Sequence, residues 1–151
     1  TCSYLNVQVE GELGHVGMTS DNDMDEFTTP EDAKKFVEET GVACLAVAVG
    51  TAHGRYKKPP KIDIERIKAI REATNNAALV LHGGSGLSDD DFRNTIKNGI
   101  RKVNICTEMC VALREAYLAS KNHEILFDDG KNAVKEIVKG KMKLFGSSYK
   151  A

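Results

Sequence analysis

The sequence predicts an α/β fold on a parallel sheet, and three observations carry that prediction. β-branched runs recur at 7–13 (VQVEGEL), 44–50 (CLAVAVG), 78–82 (ALVLH) and 100–105 (IRKVNI). The middle two are continuously apolar, as strands covered on both faces read. Between and after these runs lie segments with helix start and stop signals. Strand and helix therefore alternate at roughly 20- to 35-residue spacing, a run of four βα units.

The first run alternates, so Glu10 and Glu12 share one side of their strand. The helix that follows has Thr29 as N-cap, Pro30 at its first position and acids at Glu31 and Asp32; Gly41 stops it after Thr40. After the second strand, Pro59-Pro60 marks a loop. A helix over 63–74 then lines up Ile64, Ile67 and Ile70. After the third strand, Ser88 and Asp91 form a capping-box pattern that opens a helix through Asn98. After the fourth, Thr107 opens a helix carrying Val111, Leu113 and Tyr117. A last helix over about 131–145 places Val134, Ile137, Val138 and Met142 on one side and lysines on the other, a solvated face.

Composition narrows the function classes. The chain has 151 residues, with 21 Lys plus Arg against 22 Asp plus Glu. That balance excludes a strongly basic nucleic-acid binder. Hydrophobic residues at 41% and charged residues at 28% describe a globular chain with one core and one domain, 1–151. No apolar run is long enough to span a membrane. The start, Thr1-Cys2-Ser3-Tyr4, has no targeting character. It lacks an initiator Met, which points to a chain that begins inside a longer protein. Four cysteines without a CxxC pair read as reduced thiols of a cytoplasmic protein. A four-stranded sheet leaves two open edges, so the sequence reads as half of an eight-stranded barrel or as a small α/β domain with a partner.

In parallel α/β folds ligands bind at the carboxyl ends of the strands. That rule selects His53 and His82, at matched ends of consecutive strands and each followed by Gly. Adjacent strands lie about 4.8 Å apart, so the two imidazoles can converge on one metal ion. Cobalt or iron would suit such a pair as well as zinc. His15 and His123 read as surface residues. Gly83-Gly84-Ser85-Gly86 lets backbone N–H groups and a hydroxyl approach an anion, and the segment from Asn104 to Thr107 opens a helix beside it. Glu10 and Glu12 need a metal or a base as partner if their side faces a barrel interior. The polar stretch 19–27 (TSDNDMDEF) reads as a mobile lid or a solvated loop.

The motifs VEGELGHVG, AVAVGTAHGRY, LVLHGGSG and KVNICTE, in that order, resemble the class II metal-dependent ketose-bisphosphate aldolases. That group includes the fructose- and tagatose-bisphosphate aldolases. The resemblance covers nearly the whole chain and implies the C-terminal half of a TIM (β/α)8 barrel plus a C-terminal helix. It implies that His53 and His82 are two of three histidine ligands of a catalytic zinc, with Glu12 associated with metal binding in part of the family. Gly54, Gly83 and Ser85 would hold a substrate phosphate, Asn104 the enediolate form of the ketone-side substrate, and Thr107 a further phosphate oxygen. The implied reaction is zinc-dependent aldol cleavage of fructose 1,6-bisphosphate to dihydroxyacetone phosphate and glyceraldehyde 3-phosphate. A Lewis-acid metal stabilises the enediolate, so no Schiff-base lysine is needed; Lys102 is the nearest rival for that role.

Three departures accompany the resemblance. The family's His-x-Asp-His segment, with the third zinc ligand and the proton-transfer Asp, is not in this sequence. Its place is upstream, so no catalytic acid is assigned here. The family's Gly-Gly pair after Glu12 is replaced by Gly17-Met18, which leaves Asp21, Asp23 and Asp25 unassigned. Cys106 stands where part of the family has Asp. The expected partners are a phosphorylated sugar, the missing N-terminal half and, when complete, further copies of the chain. Tagatose bisphosphate as substrate, or an inactive fragment that holds phosphate and metal, are the alternatives.

Overall fold

The computed structural model describes residues 2, 4–18, 27–74 and 77–150. The chain forms two compact units, Thr1–Asn104 and Ile105–Ala151. The first holds β1 (Glu10–Leu13), α1 (Pro30–Thr40), β2 (Cys44–Val47), α2 (Ile64–Ala73), β3 (Ala78–Leu81), α3 (Asp89–Asn98) and β4 (Ile100–Val103). The second holds α4 (Thr107–Ala119) and α5 (Leu126–Leu144).

In the first unit the strands form one parallel sheet in sequence order, β1-β2-β3-β4. The expected βα alternation is present, although each strand is shorter than its apolar run. Register sorts the side chains. Glu10 aligns with Cys44 and Ala78, and Glu12 with Ala46 and Val80. A bulge between Leu79 and Val80 then aligns Leu79 with Ile100 and Val80 with Lys102. One face of the sheet therefore carries Glu10, Glu12, Val80 and Lys102. The other carries Leu45, Val47, Leu79, Leu81 and Ile100, all buried and joined in the core by Ile67, Ile70 and Phe92 from the helices. Full burial of each such side chain contributes about 1.5–3 kcal/mol.

The local signals explain the helices. Thr29 caps α1 by accepting from the Asp32 N–H, and Gly41 ends it in the left-handed region with φ 66°. Asp63 caps α2. Ser88 and Asp91 close a reciprocal capping box on α3. Thr28 fastens the ends of two strands: its hydroxyl donates to the Leu13 carbonyl at 2.5 Å and accepts from the Ala48 N–H at 2.9 Å.

In the second unit α4 and α5 pack against each other. Lys141 pairs with Glu108 at 3.1 Å, and Tyr117 meets Phe127 edge-on at 6.2 Å. The last helix begins at Leu126, before the expected start near 131. Asp128 and Asp129 complement the N-terminal dipole. Gly130 is buried within the helix, at a place where a Cβ would overlap the Tyr117 ring and Leu113. Val138 and Met142, on the face expected to be covered, are 39% and 40% exposed.

Candidate active site at the strand ends

His53 and His82 lie just beyond β2 and β3, where the strand-end rule places them. Their ring centroids are 5.9 Å apart, with the planes inclined at 52°. His53 is anchored through its backbone: its N–H donates to the Gly17 carbonyl at 2.8 Å, and it forms a parallel bridge with Met18. The loop after β1 thus runs alongside the loop after β2.

His82 is flanked by the two glutamates of β1. Its Nε2 lies 3.2 Å from Glu10 Oε1, and its Nδ1 lies 2.9 Å from Glu12 Oε2. The two acids do share a side, and the base they require is His82. Glu10 has a second partner, Lys102 Nζ, which donates to its Oε2 at 2.7 Å and to Asn104 Oδ1 at 2.8 Å. The Glu10 carboxyl is held below its ordinary value, first by that hydrogen bond and further by His82, against a partial opposing effect of burial. An ammonium only donates, so the Asn104 amide oxygen faces Lys102 and its NH2 group faces the other way as a donor. Lys102 is therefore a partner of Glu10 and Asn104 on the open side of the sheet.

The loops after β2 and β3 touch through their backbones. Gly83 has φ 69°, and a Cβ on it would lie 2.5 Å from the Ala52 carbonyl oxygen. Tyr56 clasps the two loops: its hydroxyl accepts from the Ala52 N–H and donates to the Gly83 carbonyl, both at 2.8 Å. The Asn104 N–H donates to the Leu81 carbonyl at 2.9 Å, and the Gly84 N–H donates to the Asn104 carbonyl at 3.1 Å. Gly54 has φ 105°, and Ser85 is 7% exposed. Sequence reasoning gave Tyr56 no role. Its only signal is an aromatic hydroxyl three positions after His53, which without the fold is indistinguishable from any loop tyrosine.

An anion finds different terms at the two helix starts. The capping box fills the first turn of α3, where Asp89, Asp90 and Asp91 add negative charge. At the start of α4, Cys106 offers no capping hydrogen bond, so Thr107 opens a helix whose first N–H groups lack a side-chain cap. His15 and His123 are exposed, in line with their surface reading. Asp21, Asp23 and Asp25 lie outside the described residues.

A divalent metal fits this donor set in part. Two imidazoles on one tetrahedral ion, with metal–nitrogen bonds of about 2.0–2.1 Å, place their centroids about 5 Å apart. The observed 5.9 Å is close to that. Both nitrogens of His82 face carboxylates, so a metal ion on His82 would replace one of these two contacts. Among the described residues no set of three His, Cys, Asp or Glu side chains closes to ligand geometry.

The comparisons with known proteins agree on one family. The family model described as fructose-bisphosphate aldolase class-II matches residues 1–150. The YdjI aldolase from Escherichia coli K12 is 40% identical, with a TM-score of 0.86 over 99% of this chain and 53% of its own. A protein from Coccidioides immitis assigned as a fructose-1,6-biphosphate aldolase is 29% identical, with a TM-score of 0.88 over 99% of this chain and 55% of its own. The fold is shared also by the fructose-bisphosphate aldolase of Campylobacter jejuni, at 23% identity and a TM-score of 0.71. The chain spans about half the length of these solved relatives, as half of a (β/α)8 barrel would.

Proposed function

The chain belongs to the class II fructose-bisphosphate aldolase family, and on that premise we propose that it supplies the metal- and phosphate-binding half of a zinc-dependent aldolase. The reaction is reversible cleavage of fructose 1,6-bisphosphate to dihydroxyacetone phosphate and glyceraldehyde 3-phosphate. It is complete only together with the other half of the barrel. One observation supports this reading above the others: the two strand-end imidazoles 5.9 Å apart, with carboxylates against both nitrogens of His82.

His53 and His82 would hold the metal. Glu12 serves as a further ligand or as the group that orients the His82 ring. When bound, the metal acts as a Lewis acid toward the substrate ketone. The residues of this chain bind and orient. Gly54, Gly83 and Ser85 receive a phosphate through backbone N–H groups and a hydroxyl, and Thr107 carries the same proposed role on the resemblance alone. The Asn104 amide, turned by Lys102, presents its N–H groups to the negative charge that cleavage leaves on the ketone-side fragment. Phosphate binding remote from the reacting bond supplies orientation. The proton-transfer acid lies outside this chain. A cytoplasmic location suits this chemistry, and no helix among the described residues is long and apolar enough to cross a membrane.

The test is zinc titration of the 151-residue chain by calorimetry, beside the same titration of His53→Ala and His82→Ala. A coupled aldolase assay is run on the chain alone and with the other barrel half added. We expect zinc binding that either substitution weakens at least tenfold, and EDTA-sensitive cleavage only in the combined sample. Zinc binding unchanged by both substitutions, or no cleavage in the combined sample, refutes the assignment.

A further inference from the structure

We propose that Cys106 and Cys110 form a reversible thiol–disulfide site on the first turn of α4, oxidised by hydrogen peroxide and restored by a dithiol reductant. This goes beyond the aldolase reading and does not depend on it.

The two sulfur atoms are 3.8 Å apart and both residues are exposed. The Cys110 N–H donates to the Cys106 carbonyl at 3.0 Å, so the residues sit one helical turn apart. Cβ atoms one turn apart are separated by about 5–6 Å. A disulfide needs them within about 3.5–4.5 Å. Closure therefore asks for a shift of about 1–2 Å. Within a regular helix that shift would have to break the backbone ladder. Here Cys106 is the N-cap residue, at φ −127° and ψ −61°, outside helical geometry and without a capping hydrogen bond from its side chain. Turning it toward Cys110 bears on the Cys110 N–H bond to the Cys106 carbonyl at the helix boundary, not on the interior ladder. A bond closed against such resistance is readily reduced, which makes the site reversible.

The Cys110 thiol is pushed above its ordinary value by its hydrogen bond with Cys106 and by the charge there. The Cys106 thiolate attacks one peroxide oxygen, the O–O bond breaks, and hydroxide leaves and is protonated to water. The Cys110 thiolate then attacks the sulfenic sulfur and releases a second water. In sum, two thiols and one peroxide give one disulfide and two waters. The bridge would enclose Thr107, so oxidation reshapes the turn that opens α4.

The test uses the purified chain exposed to peroxide, alkylated with iodoacetamide and digested with trypsin. Both cysteines fall in the peptide 103–114, between Lys102 and Arg114, while Cys2 and Cys44 fall elsewhere. We expect that peptide to appear lighter by two hydrogens and free of alkyl groups, with Cys2 and Cys44 still alkylated. Dithiothreitol should restore both alkylation sites. In Cys110→Ser, Cys106 should stop at the sulfenic acid, trapped by dimedone. A peptide alkylated at both positions after oxidation overturns the proposal. So does pairing of either cysteine with Cys2, Cys44 or another chain, or irreversible sulfinic acid as the main product.

Discussion

An alanine at position 83 would drive its Cβ into the backbone of the adjacent loop. Gly83 has φ 69°, in the left-handed region, where an L side chain costs about 1–2 kcal/mol. The new Cβ would lie 2.5 Å from the Ala52 carbonyl oxygen, 2.8 Å from its carbon and 3.0 Å from the Ala52 nitrogen. These are backbone atoms, tied through Tyr56, so they cannot swing aside as a side-chain end would. Overpacking of this kind costs a further amount of about 1–3 kcal/mol. Gly41→Ala is the matched control. Its φ is 66°, and among the described residues no atom beyond its chain neighbours lies within 4 Å of the added Cβ, so it meets the conformational cost without the clash. Urea unfolding of both variants, followed by circular dichroism, should place Gly83→Ala below Gly41→Ala by about 1–3 kcal/mol. Equal midpoints at equal slopes would refute the claim that the loops after β2 and β3 are held in rigid backbone contact.

Tyr56→Phe removes the hydroxyl that joins Ala52 to Gly83 and leaves two backbone groups short of a partner, so urea melts should show a loss of about 1–3 kcal/mol. Thr51→Val should leave stability unchanged or raise it by about 1 kcal/mol, because the buried Thr51 hydroxyl has no hydrogen-bond partner among the described residues. A loss of about 1 kcal/mol or more in the same melts would reveal a partner. Glu10→Gln should change the acid limb of stability. A carboxyl held below its ordinary value, about 4.3 for glutamate, stabilises the fold above that pH and loses the contribution as pH falls through the lowered value. The gap between wild type and Glu10→Gln should therefore be widest near neutrality and shrink in melts below pH about 4; a gap that widens on acidification would contradict the sign.

Signals confined to a few neighbouring residues were legible before the fold was known. Thr29, Gly41 and the Ser88–Asp91 pair set helix ends through contacts three or four positions apart, and the structure places the ends where they point. The histidine pair was legible because strand-end position follows from chain order alone. What depends on distant partners was not. Lys102 reaches Glu10 across 92 positions, and only the folded sheet makes them neighbours. The reason Gly130 is small, the Tyr117 ring, lies on the other helix, 13 positions away in sequence.

The bulge in β4 makes that strand tolerant of losing a residue. With Leu79 opposite Ile100 and Val80 opposite Lys102, Arg101 is the surplus position, and its guanidinium donates to the Ile96 and Ile100 carbonyls. Deleting Arg101 would leave Ile-Lys-Val-Asn in plain alternation, with Lys and Asn on the same face as before. Deleting Lys102 instead would bring Arg101 into its place, so a cation would still meet Glu10. At most positions in a strand a deletion inverts every side chain beyond it; in this stretch the reading frame of the sheet absorbs one.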